Sequence, residues 1–212
     1  MFYRLAPQLI IRSVWRPYWP RPGDQVLVMR AGIAFPPGHP TTQLCLELLA
    51  ASLLEQPAAT LLDVGCGTGI LALAGARMGI PFNVGIDLAA QAIRAARENT
   101  RRNHLTGPVH WLQGSTEALQ GRFELILANL PWMVLMEKAT ELQRLSVPQA
   151  RLILSGFRET REEALLNLYL NQGWQLARRA TLDRWEIELP PERSFTWVGM
   201  VLSRGRQGPK VQ

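Results

Sequence analysis

The chain of 212 residues is poor in several residue types, and each shortage argues against a class of protein. It has two cysteines, Cys45 and Cys66, whose positions suit neither a disulfide framework nor a metal site, so we expect reduced thiols and no structural metal. It has no apolar run of about 18 residues, the length that a membrane span requires. The first residues also lack the apolar stretch of a secretion signal, and we therefore expect a cytoplasmic protein without a membrane partner.

Acidic side chains are scarce as well. Asp and Glu number 17 against 23 Lys and Arg, which gives a net charge of +6. The first 30 residues hold five arginines against one aspartate, and the last ten hold two arginines and one lysine. The positive excess therefore lies at the two ends, where aromatic residues among the N-terminal arginines suit an RNA contact. Solvated basic ends in a chain that prefers arginine to lysine are the more ordinary explanation.

The most informative stretch is Leu-Leu-Asp-Val-Gly-Cys-Gly-Thr-Gly at positions 61 to 69. An apolar run ending in an acid and three alternating glycines predicts a buried parallel strand that turns sharply into a helix near Ile70. Gly65, Gly67 and Gly69 would let a ligand lie against the backbone of the turn, with Cys66 between them. The alternative is a glycine turn that binds nothing.

Two classes of nucleoside cofactor use such a turn. Read from Gly67, the sequence fits the dinucleotide pattern G-x-G-x-x-A, with Asp87 placed 18 residues after Gly69. Read from Asp63, it is D-x-G-x-G-x-G, which resembles the more specific signature of the class I S-adenosylmethionine methyltransferases. The Asp63 carboxylate would attract the ammonium group of S-adenosylmethionine and repel the pyrophosphate of NAD. We therefore expect S-adenosylmethionine as the cofactor.

A second acid ends the next predicted strand, Phe82 to Ile86. The Asp87 carboxylate that follows can accept hydrogen bonds from both ribose hydroxyls of an adenosine, and we expect Leu88 beside it to line the same site. Capping of the helix that starts near Ala89 is the alternative role of Asp87, and the two roles are compatible.

Strands alternate with helices along most of the chain, which predicts a parallel sheet with helices on both faces. The last two strands follow each other without a helix and should pair antiparallel. The expected fold is therefore α/β, a doubly wound, seven-stranded, mostly parallel sheet with an antiparallel C-terminal hairpin, the Rossmann-like architecture of class I methyltransferases. One strand is predicted at 25–29, before the wound core. The seven strands of the core are predicted at 60–64, 82–86, 109–113, 123–128, 151–155, 174–181 (with 185–189 as a candidate extension) and 195–203, and helices at 41–55, 70–78, 89–103, 133–145 and 159–171.

Composition divides the chain into three regions. We expect a basic, aromatic N-terminal segment over 1–24, a class I methyltransferase domain over 25–203 and a flexible basic tail over 204–212.

The segment before the glycine turn narrows the resemblance. Positions 29 to 49 resemble the cofactor-covering loop and helix of the PrmA family, which methylates amino groups of a ribosomal protein. The family pattern G-x-A-F-G-T-G-x-H-x-T-T is kept at Gly32, Ala34, Phe35, Gly38, His39, Thr41 and Thr42, and two prolines replace its Gly-Thr. The resemblance implies cofactor contacts from Phe35 and Thr42 and a protein substrate, with a ribosomal protein as the candidate. The family's N-terminal substrate domain is represented by only about 20 residues.

Asn129-Leu130-Pro131-Trp132 follows the predicted strand that ends at Ala128, so it should lie at the carboxyl edge of the sheet beside the cofactor. It resembles the N-P-P-Y motif of methyltransferases that modify nitrogens conjugated to a π system. The Asn129 side-chain oxygen and a carbonyl of Leu130 or Pro131 would accept the N–H bonds of the acceptor nitrogen, and Trp132 would stack on a planar group. We expect Asn129 to contact the cofactor as well. The alternative is that Pro131 ends the strand and Trp132 fills the core.

Two further residues complete the expected site. Ser115 follows the third strand of the wound core, where many class I enzymes place an aspartate toward the adenine amine. His39 lies between Gly38 and Pro40, and we expect it to order the loop by hydrogen bonding rather than to act as a base.

The sequence thus predicts an enzyme, an S-adenosylmethionine-dependent N-methyltransferase that acts on a protein nitrogen. An RNA base amine is the second substrate class. A catalytically silent module that binds the cofactor or a partner is the third hypothesis.

Overall fold

The computed structural model describes residues 2–4, 9–30, 38–184 and 194–204. The strands of these residues form two sheets, and helices pack against the larger one. The strands are β1 (Phe2–Arg4), β2 (Leu9–Ser13), β3 (Gln25–Met29), β4 (Thr60–Val64), β5 (Phe82–Asp87), β6 (Val109–Gln113), β7 (Phe123–Asn129), β8 (Ser146–Arg158), β9 (Gln175–Asp183) and β10 (Thr196–Ser203). The helices are α1 (Pro40–Glu55), α2 (Ile70–Arg77), α3 (Ala90–Arg102), α4 (Trp132–Glu137), α5 (Ala139–Arg144) and α6 (Glu162–Asn171).

The main sheet has seven strands within the described residues, in the spatial order β6, β5, β4, β7, β8, β10, β9. The first five of these run parallel, whereas β10 is antiparallel to both of its neighbours. The predicted α/β fold is therefore confirmed, including the antiparallel hairpin of β9 and β10. The carboxyl ends of β4, β5 and β7 lie side by side and bring the glycine turn, Asp87 and Asn129 to one edge of the sheet.

Both faces of the sheet are covered, because successive residues of a strand point to opposite sides. In β4, fully buried Leu61 belongs to one apolar cluster and fully buried Leu62 to the other. The first cluster takes in residues of α1, α2 and α3, and the second takes in residues of α4, α5 and α6. This arrangement confirms the helices predicted on both faces.

Some element boundaries differ from the predictions. Strand β8 extends on both sides of the predicted 151–155, since it pairs with β7 on one side and with β10 on the other. The helix predicted over 133–145 is divided into α4 and α5 at Lys138, whose ψ is 0°. The possible extension at 185–189 lies outside the described residues.

A second sheet joins β1, β2 and β3, with β1 antiparallel and β3 parallel to β2. The first two of these strands lie in the segment where the sequence predicted none. They link positions before 25 to the first strand of the expected methyltransferase domain. The division at 24 and at 204 stays a prediction, and most of the expected tail, 205–212, lies outside the described residues. No helix in the described ranges has the length and hydropathy needed to cross a membrane.

A buried tryptophan of β6 packs against Gly85 of β5 and against Gly69 of the glycine turn. The indole of Trp111 in β6 donates from Nε1 to Thr100 Oγ1 at 2.8 Å. A Cβ added to Gly85 in β5 would lie 2.1 Å from the Trp111 ring, and one added to Gly69 would lie 2.4 Å from it. The ring therefore occupies space that two glycines leave free.

We expect Gly85→Ala to lower the free energy of unfolding by about 1 to 3 kcal/mol, because the indole must move away from the new methyl group. Urea unfolding followed by circular dichroism measures the change. Gly107→Ala is the control, since its Cβ would meet nothing within 4 Å. Equal stability of the Gly85→Ala variant and the parent would contradict this account of the packing.

Candidate active site

The turn between β4 and α2 takes the sharp path that the three glycines predicted. Gly65, Gly67 and Gly69 have φ angles of 69°, 52° and 81°, in the left-handed region that other residues avoid. The amides of Gly65 and Cys66 both donate to the carbonyl of Ile86, at 2.9 and 3.1 Å. The turn is therefore bonded to the end of the neighbouring strand β5.

Packing gives two of these glycines a further role. A Cβ on Gly65 would lie 2.4 Å from Cδ2 of Leu130, and a Cβ on Gly69 would strike Trp111. The sequence suggested that a side chain here would obstruct a ligand. At Gly65 and Gly69 it would first disturb the protein's own packing.

Asp87 ties the turn to the next helix. Its Oδ2 accepts from the amide of Gly67 at 2.9 Å, and its Oδ1 accepts from the amide of Ala89 at 2.9 Å, directly before α3. The bond to Ala89 reaches the N-cap residue of α3, and no side chain caps the helix, so Asp87 does not take the N-cap role that was the alternative to ribose binding. A carboxylate has about four lone-pair sites, so two remain for further donors.

Asp63 is the buried acid of the site. It is the next-to-last residue of β4, directly before the turn, and is 1% exposed. Its Oδ2 accepts from the amide of Ala72 at 3.1 Å. Burial raises the pKa of Asp63 to about 7; the bond from Ala72 acts against this shift, and the charge of Asp87 adds to it. The protonated form of Asp63 therefore favours the folded state. Its contribution is complete below the ordinary pKa of 3.8 and is lost as the pH rises through about 7.

A cleft opens over the turn, and it brings together residues that the sequence selected separately. Its lining consists of Thr42, Asp63, Gly65, Cys66, Gly67, Thr68, Ile70, Leu71 and Asn129. Six of these, all except Thr68, Ile70 and Leu71, were predicted site residues. They come from the start of α1, the β4 turn and the end of β7.

Asn129 presents an unused acceptor to this site. It is 9% exposed, lines the cleft, and its Oδ1 is buried without a hydrogen-bond partner. The backbone that follows is fixed, since the amide of Leu130 donates to the carbonyl of Ser155 at 3.0 Å. Gly156, with a φ of 103°, allows this close approach, because a Cβ there would lie 2.2 Å from the Leu130 carbonyl oxygen. A buried carbonyl oxygen without a donor suits a ligand N–H.

Several other predicted site residues are absent from this lining, among them Asp87, Leu88, Pro131 and Trp132. Pro131 is exposed and directly precedes α4. Trp132 is partly buried against the core, and the guanidinium of Arg161 lies 4.8 Å from the centre of its ring. Leu88 is 72% exposed next to Asp87, and Phe35 lies outside the described residues.

Ser115 belongs to a polar cluster near the end of β6. Its hydroxyl donates to Glu117, and Lys138 Nζ donates to the hydroxyl at 3.2 Å and to Glu117 Oε1 at 2.5 Å. The bonds from Lys138 and Ser115 lower the pKa of Glu117 to about 2. The Ser115 hydroxyl is therefore already engaged with two side chains.

His39 orders the start of α1. Its Nδ1 lies 2.8 Å from Thr41 Oγ1 and accepts from the amide of Thr41 at 3.4 Å. The imidazole also meets the ring of Trp197 edge-on, with 5.0 Å between the ring centres. These contacts match the ordering role that we expected of His39. Within the described residues, no group of three or more metal-binding side chains is assembled.

Two buried asparagines, Asn99 in α3 and Asn103 directly after it, make side-chain hydrogen bonds that the sequence reasoning missed. Asn99 is 1% exposed; its Oδ1 accepts from the amide of Arg30 at 2.9 Å, and its Nδ2 donates to the carbonyl of Thr68 at 3.1 Å. Asn103 exchanges bonds of 2.7 and 2.8 Å with the backbone of Val28. Polar residues four apart on the buried side of a charged helix were the available signal.

The chain matches known proteins over most of its length. The model of the family described as ribosomal protein L11 methyltransferase (PrmA) matches residues 3–188. A ribosomal protein L11 methyltransferase of Geobacter metallireducens is 36% identical over 187 residues, which cover 88% of this chain and 61% of that protein. The chain thus spans about three fifths of the curated relatives that it matches.

Solved structures resemble it as well. The crystal structure of a ribosomal protein L11 methylase from Lactobacillus delbrueckii subsp. bulgaricus has a TM-score of 0.81 and 25% identity, and the match covers 96% of this chain and 98% of that one. Magnesium protoporphyrin IX methyltransferase from Synechocystis, solved with bound S-adenosylhomocysteine, has a TM-score of 0.60 at 16% identity over 77% of this chain and 82% of that one, so it shares the fold. The glycine turn, the order of the sheet and these matches agree, and the chain belongs to the PrmA family of ribosomal protein L11 methyltransferases.

Proposed function

We propose that this protein transfers a methyl group from S-adenosylmethionine to a nitrogen atom of a protein substrate, with a ribosomal protein as the leading class. The observation that carries the proposal is the buried, unpartnered Oδ1 of Asn129 in the cleft over the glycine turn. Family membership and the names of the relatives support it.

The residues in and next to the cleft fit the donor. Asp63 would face its ammonium group, and the two remaining lone-pair sites of Asp87 would accept its ribose hydroxyls. Leu88 offers an exposed apolar surface beside Asp87 for the adenine ring, and Ser115 follows β6 on the same edge of the sheet. The donor supplies a methyl group that is already activated on a sulfonium centre.

The chain's own part in the reaction is to position the acceptor and exclude water. Asn129 Oδ1 accepts an N–H of the acceptor nitrogen and thereby fixes the direction of its lone pair. The bond from Leu130 to Ser155 and the close contact with Gly156 hold the backbone beside Asn129 in place. Pro131 and Trp132 continue from this fixed point and border the approach of the substrate.

An RNA acceptor is the second candidate, and one surface favours it. Trp15 and Trp19 are 84% and 81% exposed in the connection between β2 and β3. Exposed Arg16 and Arg21 lie in the same segment, so rings that stack on bases accompany cations that bind phosphate.

Methyl transfer from a labelled donor tests the function directly. The full chain is incubated with radiolabelled S-adenosylmethionine and either a bacterial cell extract or purified ribosomal protein L11, and the products are digested with protease or with nuclease. We expect label in the protein fraction. Label released only by nuclease would favour RNA, and no transferred label would favour the silent binding module.

Asn129→Ala should lower kcat for this transfer by about 100-fold, because the acceptor loses the group that orients it. The affinity for S-adenosylhomocysteine, measured by calorimetry, should remain nearly unchanged. Loss of donor binding in this variant would contradict the acceptor role of Asn129.

The buried acid predicts a pH dependence of donor binding. The ammonium of the donor favours ionised Asp63, whose pKa in the free protein is about 7, so binding must release a proton below that pH. The affinity for S-adenosylhomocysteine should therefore fall by up to about tenfold for each pH unit below neutrality. Calorimetric titrations from about pH 6 to 8 measure this, and Asp63→Asn should flatten the profile. The same steep profile in Asp63→Asn would assign the proton to another group.

Asn99 and Asn103 form a matched pair of variants that tests whether the bond from Asn99 to Thr68 supports the glycine turn. Asn99→Ala removes the bond to Thr68 in the cleft lining, and we expect the affinity for S-adenosylhomocysteine to fall about fivefold, the equivalent of one hydrogen bond. Asn103→Ala removes bonds to β3 without touching the turn. It should cost similar stability in urea unfolding yet keep the parent affinity. If the two variants bind S-adenosylhomocysteine with equal affinity, the bond from Asn99 to Thr68 does not support cofactor binding.

A further inference from the structure

A second cleft lies at the opposite edge of the main sheet. It has a volume of about 410 Å³ and is lined by Ser52, Glu55, Gln56, Gln149, Arg151, Ala177, Arg178, Val201, Ser203 and Arg204. Arg151 pairs in register with Leu125 near the start of β7, whereas Asn129 ends that strand at the candidate active site. The two clefts are therefore separated by the length of the central strands.

Arg151 is the unusual residue of this cleft. It is 7% exposed, and its guanidinium donates from Nη1 to the carbonyl of Ser52 and from Nη2 to the carbonyl of Pro57 at 3.4 Å. Its Nε is buried without a hydrogen-bond partner. Burial lowers the pKa of this guanidinium, and the negative charges of Glu124 and Glu55 partly offset that shift. Among the described residues, no carboxylate forms an ion pair with it.

Such an arrangement leaves a buried charge incompletely compensated. The Ser52 carbonyl belongs to the last turn of α1, so the negative end of that helix offsets part of the charge. Backbone carbonyls supply only partial charges, and a buried cation is ordinarily paired with a full anion. The Nε–H of Arg151 is a buried hydrogen-bond donor that lacks an acceptor.

Two more cations border the same space. Arg178 in β9 forms an ion pair with Glu55, and about half of its side chain is exposed. The Arg204 guanidinium lies 5.0 Å from the centre of the Trp174 ring, which fixes its position without neutralising its charge. The lining therefore contains three guanidinium groups against the single carboxylate of Glu55. Ser203 and Gln149 add side chains that can donate hydrogen bonds.

We propose that this cleft binds a phosphate group. A tetrahedral dianion matches the net positive charge of the lining, and its oxygens accept from guanidinium donors that approach from β8, β9 and the end of β10. The group is carried either by free phosphate and its monoesters or by the backbone of a nucleic acid. The proposal does not depend on methyl transfer, because the cleft lies at the other end of the sheet.

Calorimetric titration of the full chain with sodium phosphate tests the proposal, with sodium chloride holding the ionic strength constant. We expect saturable binding that is weakened about fivefold or more in Arg204→Gln and in Arg178→Gln. The Arg178 side chain is about half exposed, so Arg178→Gln should keep the parent's circular dichroism spectrum. The Arg204 side chain covers the buried Trp174 ring, so the fold of Arg204→Gln is checked by the same measurement. Arg151→Met should abolish binding, with its fold checked in the same way.

Arg97→Gln is the matched control, since it removes the same charge from an exposed position on α3. It should bind phosphate as the parent does. Absence of phosphate binding in the parent, or equal weakening in Arg97→Gln, would overturn the proposal. A short single-stranded RNA that competes with phosphate would identify nucleic acid as the source of the group. Phosphate binding that RNA leaves unchanged would assign the cleft to free phosphate and its esters.

Discussion

The carboxylate of Asp87 is the constraint on which the candidate active site depends. It accepts from the amide of Gly67 in the turn and from the amide of Ala89 before α3, so one side chain joins two loops at the edge of the sheet. Trp111 supports the same turn from below, because Gly69 and Gly85 leave room for its ring. These contacts hold the turn against β5 and β6, and the pairing of β4 with β7 sets its position relative to Asn129.

The sequence predicted the parts of the fold that depend on local patterns. Alternating strands and helices, the glycine turn and the antiparallel end all follow from periodicity and from the φ angles that glycine permits. Long-range contacts were harder to predict. The division of the helix at Lys138 is accompanied by contacts with Ser115 and Glu117, more than 20 residues away. The spacing of Asn99 and Asn103 marks them as buried, but it does not reveal that Asn99 binds Thr68, 31 residues away.

The same distinction between local patterns and long-range contacts applies to the candidate site. Asp63 and the glycines that line the cleft stand together in one recognisable motif, whereas the unpartnered state of Asn129 Oδ1 emerges only from the folded structure. Helix α1 connects the two clefts. Its first turn contributes Thr42 to the glycine cleft, and the carbonyl of Ser52 in its last turn receives the buried Arg151.

The order of the last strands has a consequence for how the chain is assembled during synthesis. Strand β9 is made before β10, yet within the described residues its neighbour in the sheet is β10, which inserts between it and β8. Until that insertion, the nascent β9 segment has no backbone partner and is open to pairing with another chain. Its adjacent residues Arg178 and Arg179 place charge on this open edge and oppose such aggregation.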